Sequence, residues 1–133
     1  FGGEIDGSYG AYPGTDNAGS GMYVELAAAA GFDGTGAFSP ESYDAAALIM
    51  LAMQAAGSSA SADFKDKVMD VANAPGEQIF PGELAKGLEI LAAGGDIDYV
   101  GASAVELIGP GESAGNYQEI LFADGVYSTV GYR

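Results

Sequence analysis

Cysteine and histidine are both missing from the chain. Their absence excludes disulfides, thiolate nucleophiles and Cys/His zinc sites from these residues, along with the side chain that most often acts as a general base near neutral pH. Lack of cysteine fits a cytosol and a periplasm equally. Basic residues are scarce as well: Lys and Arg number 4 against 19 Asp and Glu, a formal net charge of −15 over 133 residues. Nucleic-acid binding needs a basic face to meet phosphates, and anionic membranes attract basic clusters, so this charge argues against both. The acids are scattered rather than run together and read as a solvated surface. What is present is apolar: 48% of the residues are hydrophobic, enough for a packed core despite the charge. The length suits one domain.

The strongest local signal is Ser39–Gly57. Ser39 reads as an N-cap, whose hydroxyl accepts from an orphaned first-turn amide. Pro40 suits the first helical position, and Glu41 and Asp44 place negative charge at the positive end of the helix dipole. Gly57 supplies the left-handed residue that closes the far end. Between these ends Leu48, Ile49, Met50, Leu51 and Met53 point in every direction, which predicts a core helix buried on several sides. At about four turns it is too short to cross a bilayer, which takes about 20 apolar residues.

Before it, Ile5–Pro13 reads as a strand carrying Tyr9 and Tyr12, interrupted by glycines that mark a bend or a close backbone approach. Met22, Leu26 and Ala29 or Ala30 then sit at helical spacing, and Gly31 stops the helix. After Gly57 the pattern predicts a helix over Asp63–Ala72, with Phe64, Val68 and Val71 on one face and Asp63 paired with Lys67. A short extended piece at Ile79–Phe80 and a helix over Glu83–Ala93 follow. The remainder is strand-like: Tyr99–Val100, Val105–Ile108, a Gly109-Pro110-Gly111 turn, and two strands flanking Asp124-Gly125, a type I′ hairpin signal. A helix that is apolar all round needs cover on several sides, as in a layered α/β protein, yet few strands are available to build the sheet. The 133 residues therefore read as part of a larger fold.

The residues hold no enzyme constellation. Gly34-Thr35-Gly36 before a helix lacks the third glycine, a preceding strand and any lysine, so it is a poor phosphate loop; the helix mouth it leads into suits a polar ligand better. Glu41 and Asp44, three apart, serve the dipole more naturally than acid–base chemistry. Asp96 and Asp98 read as turn chemistry, because a calcium loop needs more carboxylates at fixed offsets. Tyrosines offer both a ring face and a hydroxyl, which suits small-ligand clefts.

In order, Ile5–Pro13, Gly31-Phe32-Asp33, Ala37–Ala46 (with Tyr43-Asp44-Ala45-Ala46), Ala55–Ser58 and Gly94–Ser103 resemble the branched-chain amino acid (LIV-binding-protein-like) family of periplasmic solute-binding proteins that serve ABC importers. The resemblance covers nearly the whole chain and corresponds to the C-terminal third of such a protein. It departs from the family at Ala104–Ile108 and Gly109-Pro110-Gly111, where the family tends to read Gly-x-Val-x-Phe-Asp. It implies an α/β chain forming part of a two-lobe type I periplasmic binding fold. Residues 1–13 would be a hinge strand, 14–108 elements of one ligand-binding lobe, and 109–133 a final crossover with a hairpin packing on the other lobe. A small solute, an amino acid or related carboxylate or amide, would close between the lobes and pass to a membrane permease. Phe38 would face the ligand, with Ser39 and Glu41 beside it and Tyr9 and Tyr12 near the hinge. The resemblance further implies a periplasmic location, no cofactor or metal, no catalysis, and an N-terminal part upstream that brings most of the ligand contacts. Set beside it are a ligand-sensing domain of a receptor or regulator with the same fold, a small α/β enzyme, and a self-standing acidic interaction domain.

Overall fold

The computed structural model describes residues 2–109 and 111–133. In chain order the elements are a short 3-10 helix (Gly2–Ile5), β1 (Tyr9–Pro13), α1 (Ala18–Ala29), α2 (Ser39–Ala56), α3 (Ser61–Phe64), α4 (Lys67–Ala72), β2 (Glu77–Ile79), α5 (Leu84–Ala92), β3 (Ile97–Tyr99), β4 (Leu107–Gly109), β5 (Glu112–Ser113), β6 (Tyr117–Ala123) and β7 (Val126–Tyr132). The class is mixed helix and strand with small sheets. Pro110 of the expected turn and Phe1 of the opening segment lie outside the described residues. The chain forms two compact units: the residues up to Asp16 with Gly115–Arg133, and Asn17–Ala114. Within the unit Asn17–Ala114, β4 is tied to the end of α4. There Asn73 donates from Nδ2 to the Leu107 carbonyl (2.7 Å) and accepts the Leu107 amide on Oδ1 (3.0 Å).

The strand unit is a three-stranded antiparallel sheet in the order β1-β6-β7. Asp124 (φ 53°) and Gly125 (φ 76°) make the expected left-handed turn pair between β6 and β7. The strand expected from Ile5 begins only at Tyr9, since Gly2–Ile5 coils into the 3-10 turn. Gly10 is a close approach of the kind its sequence position suggests: a Cβ there would lie 3.2 Å from Ile120 Cγ1, and Ile120 is the sheet's buried side chain.

In the helical unit the core gathers Ala47, Leu48, Leu51 and Ala52 of α2, Val71 and Ala72 of α4, Ile79 of β2, and Ile97 and Tyr99 of β3. The parallel β2–β3 pair is joined through α5, as parallel strands require a crossover. Gly87 lets α5 settle on α2; a Cβ there would stand 3.0 Å from Leu51 Cδ2. Three expectations change. The central helix is buried along one side only: Ile49 and Met50 are each 44% exposed, because α4 and α5 cover the stripe through Ala47, Leu48, Leu51 and Ala52. The α1 face shifts from Met22 and Leu26 to Gly19, Tyr23 and Ala27. Gly19 is needed there because any Cβ would run into the Gly101 carbonyl oxygen. The helix expected over Asp63–Ala72 breaks at Lys65–Asp66 into α3 and α4. Asp63 then takes the Ser58 hydroxyl (2.6 Å), and Lys67 pairs with Asp70 (3.0 Å) in place of Asp63.

Candidate functional site

Because β2 and β3 are parallel, with Glu77, Gln78 and Ile79 opposite Ile97, Asp98 and Tyr99, their carboxyl ends lie together. The loop leaving each strand is bonded to the opening turns of α2. From the β2 loop, the Gly82 amide donates to the Tyr43 hydroxyl (3.3 Å). From β3 and its loop, four donors converge on Asp44. Oδ1 accepts from the Tyr99 hydroxyl (2.9 Å) and the Ala102 amide (2.8 Å); Oδ2 accepts from the Ser103 amide and the Ser103 hydroxyl, both at 2.7 Å.

Asp44 is 2% exposed, so this carboxylate is removed from water and satisfied entirely by the protein. Spacing alone reads Asp44 as a dipole partner of α2; the fold makes it the clasp between that helix and the Gly101–Ser103 loop. Gly101 completes the clasp with φ 64°: a Cβ would lie 2.6 Å from both Asp44 Cγ and Tyr99 Cε1. Burial, and then the Asp44 charge, hold the Tyr99 hydroxyl proton well above the usual phenol range.

The mouth of α2 departs from its expected capping. Phe38, rather than Ser39, is the N-cap, and it sits in the left-handed region (φ 60°, ψ 10°) with no side-chain cap bond. The Ser39 amide turns back to the Gly36 carbonyl (3.0 Å), which makes Ser39 the first helical residue and Pro40 the second. Freed from capping, the Ser39 hydroxyl lies 2.6 Å from the Tyr23 hydroxyl. The Tyr23 ring packs against Tyr43 at 5.2 Å between centroids. Phe38 is 60% exposed. A left-handed residue with a Cβ costs about 1–2 kcal/mol, so a bulky, exposed aromatic there combines backbone strain with poor burial. Glu41, in the first turn, is half-buried and its Oε2 has no hydrogen-bond partner; Asn17 Nδ2, at the start of α1, is in the same condition.

Phe38, Ser39 and Glu41 thus share one helix mouth at the carboxyl end of the parallel strands. Tyr9 and Tyr12 belong to the strand unit. They stand opposite Leu121 and Gln118 and, three apart on a strand, project to opposite faces, so one cleft cannot take both. The contributions of Tyr43, Asp44, Tyr99, Gly101 and Ser103 escape a reading by spacing. Their only sequence signal is membership of the Tyr43–Ala46 and Gly94–Ser103 runs. Every cation of the chain is engaged with a carboxylate: Lys65 with Asp66 (2.9 Å), Lys67 with Asp70 (3.0 Å), Lys86 with Glu77 (2.8 Å) and Arg133 with Glu119. Among the described residues no group of three or more Asp and Glu is placed to hold a metal, and no helix is long and apolar enough to cross a membrane. Comparison of the chain with protein-family models, with curated proteins and with solved structures finds no match in any of the three.

Proposed function

We propose that the chain is part of an extracytoplasmic solute-binding protein of an ABC importer, and that its share of the ligand site is the mouth of α2. The observation that carries this reading is the convergence of the β2 and β3 carboxyl ends on the first turns of α2. In open α/β sheets, ligands settle outside the carboxyl ends of the strands, where loop backbone and helix N-termini supply polar contacts. Phe38 offers an exposed ring for the apolar body of a solute; Ser39, whose hydroxyl the buried Tyr23 holds in place, and Glu41 offer a hydroxyl and a carboxylate for its polar groups.

The chemistry of this mouth favours a ligand group that donates hydrogen bonds, such as an ammonium or amide, over a phosphate. No cation stands free to meet an anion, Pro40 removes one helix amide, and the Ser39 amide is already bonded. Capture does not require catalysis by these residues. Closure of lobes around the solute gives a shape that a membrane permease distinguishes from the open form. The family resemblance and the two-unit division, which the chain crosses twice, agree with such an architecture.

Thermal-shift measurements on the complete gene product that carries this chain test the reading, with a panel of amino acids, carboxylates and amides. One class should raise the melting temperature, and Phe38→Ala should weaken that response. No shift with any member of the panel, or a response indifferent to Phe38, overturns it.

A further inference from the structure

The Tyr23 and Ser39 hydroxyls lie 2.6 Å apart, and which of the two donates decides what the mouth of α2 can hold. Tyr23 is 3% exposed and has no room to turn to another partner. Its ring packs on Tyr43 at 5.2 Å between centroids, and the backbone at Gly34 closes on its edge, where a Cβ would lie 3.2 Å from Tyr23 Cε1. Among the described residues each of these hydroxyls has the other as its partner. If Ser39 donated, the Tyr23 proton would be buried with neither water nor an acceptor, an unfavourable state for a polar group. A phenol is also the stronger donor of the two. Tyr23 therefore donates and Ser39 accepts. The Ser39 proton then points away from Tyr23, polarised by the bond its oxygen receives. Tyr43, four residues on and so on the same side of α2, is in a like state: its oxygen takes the Gly82 amide at 3.3 Å, which leaves its O–H to donate.

We propose that Tyr23 is a positioning residue that sets Ser39 as a hydrogen-bond donor, and that the solute group received there is the neutral carbonyl oxygen of a carboxamide. This inference rests on the reading of the α2 mouth as a solute site. An ammonium carries donors only and would meet the Ser39 and Tyr43 protons with nothing to accept them. A carboxylate could accept them, but Glu41 stands in the same first turn, and each of the four cations is paired with a carboxylate. No charge is left to offset a second anion. A carboxamide brings an uncharged acceptor with two lone pairs, and its NH2 group supplies the donor character that the mouth also favours. The exposed Phe38 ring takes no part in this choice, because it meets the apolar remainder of the solute.

Calorimetric and thermal-shift titrations of the complete gene product test it with matched probes: glutamine against glutamate and ornithine, and butyramide against butyrate and butylamine. At least one carboxamide should bind more tightly than its acid and its amine. Tyr23→Phe keeps the ring and its packing but removes the donor, so the Ser39 hydroxyl is free to turn and accept. The ratio of carboxamide to amine affinity should then fall about fivefold, the contribution of about one neutral hydrogen bond. Ser39→Ala should lower the same ratio, and Tyr23→Phe should lower it no further in that background. Phe38→Ala should weaken every response and leave the ratio alone, as any merely structural loss would. A native protein that prefers the acid or the amine, or that answers the wider panel but no carboxamide, overturns the assignment while the solute site stands. So does a ratio unmoved by Tyr23→Phe, or losses that add in the double variant. If no probe and no member of the panel of amino acids, carboxylates and amides binds, the solute reading of the mouth falls and this inference falls with it.

Discussion

Replacing Asp44 by Asn exchanges one carboxylate oxygen for an amide nitrogen that can only donate. Oδ1 now serves the Tyr99 hydroxyl and the Ala102 amide, and Oδ2 the Ser103 hydroxyl and amide. Whichever side the new nitrogen takes, the hydroxyl there can rotate and accept, but the backbone N–H cannot and is left without an acceptor. A buried, unsatisfied amide costs about 1–3 kcal/mol, and bonds to a charged acceptor are worth about 1.5–3 kcal/mol against about 1 kcal/mol for neutral ones. The expected loss for Asp44→Asn is therefore about 2–3 kcal/mol. Asp44→Ala strands both amides and should cost about 3–5 kcal/mol, whereas Tyr99→Phe removes one hydroxyl donor from a carboxylate that keeps three others and should cost about 1 kcal/mol. Urea unfolding with an unchanged slope gives these differences directly. Amide exchange at Ala102 and Ser103 should quicken in Asp44→Asn and far less in Tyr99→Phe. An Asp44→Asn variant within about 0.5 kcal/mol of the parent, or one less harmful than Tyr99→Phe, would refute the claim that this carboxylate clasps the loop to α2.

Phe38→Ala and Phe38→Gly both remove the exposed ring, so both should weaken the ligand response of the α2 mouth alike, while their stabilities should differ. The left-handed conformation costs Ala about 1–2 kcal/mol and Gly pays about 0.5–1 kcal/mol in chain entropy, leaving Gly ahead by about 0.5–1 kcal/mol. Thermal melts that place Ala level with or above Gly would show that the backbone at Phe38 is not left-handed in solution. Alkaline titration probes the core. Folding holds the Tyr99 proton above its ordinary value of 10.0, so the folded state binds more protons than the unfolded one there. This contribution to stability is whole below pH 10.0 and is lost as pH rises through the raised folded-state value. The slope approaches about 1.4 kcal/mol per pH unit, and Tyr99→Phe should flatten it; an equally steep decline in that variant would place its origin elsewhere.

Much of the local structure is determined by the sequence alone, because it rests on residues within a turn of each other. Pro40 and Gly57 bracket α2, Gly94 follows α5 with φ 78°, and Asp124-Gly125 makes the β6–β7 hairpin through the positive φ that such a pair adopts at little cost. Phe64, Val68 and Val71 fall on the core side, as their spacing predicts. The candidate site was legible in part. Phe38, Ser39 and Glu41 are neighbours because they adjoin in the chain, but their states are not local properties. Phe38 turns left-handed and Ser39 gives up capping because the Ser39 amide closes back on Gly36 and its hydroxyl meets Tyr23 on another helix. Which side of an all-round apolar helix is buried cannot be read from that helix; α4 and α5 choose it, leaving Ile49 and Met50 toward solvent. The same holds for Asp44. Its position near the start of α2 follows from the sequence, whereas its donors come from Tyr99, Ala102 and Ser103, brought there by the parallel pairing of β2 with β3 and the sharp turn at Gly101. Local propensity acts over a few residues, and a buried carboxylate acquires its partners only when packing excludes water and brings distant backbone amides within hydrogen-bonding range.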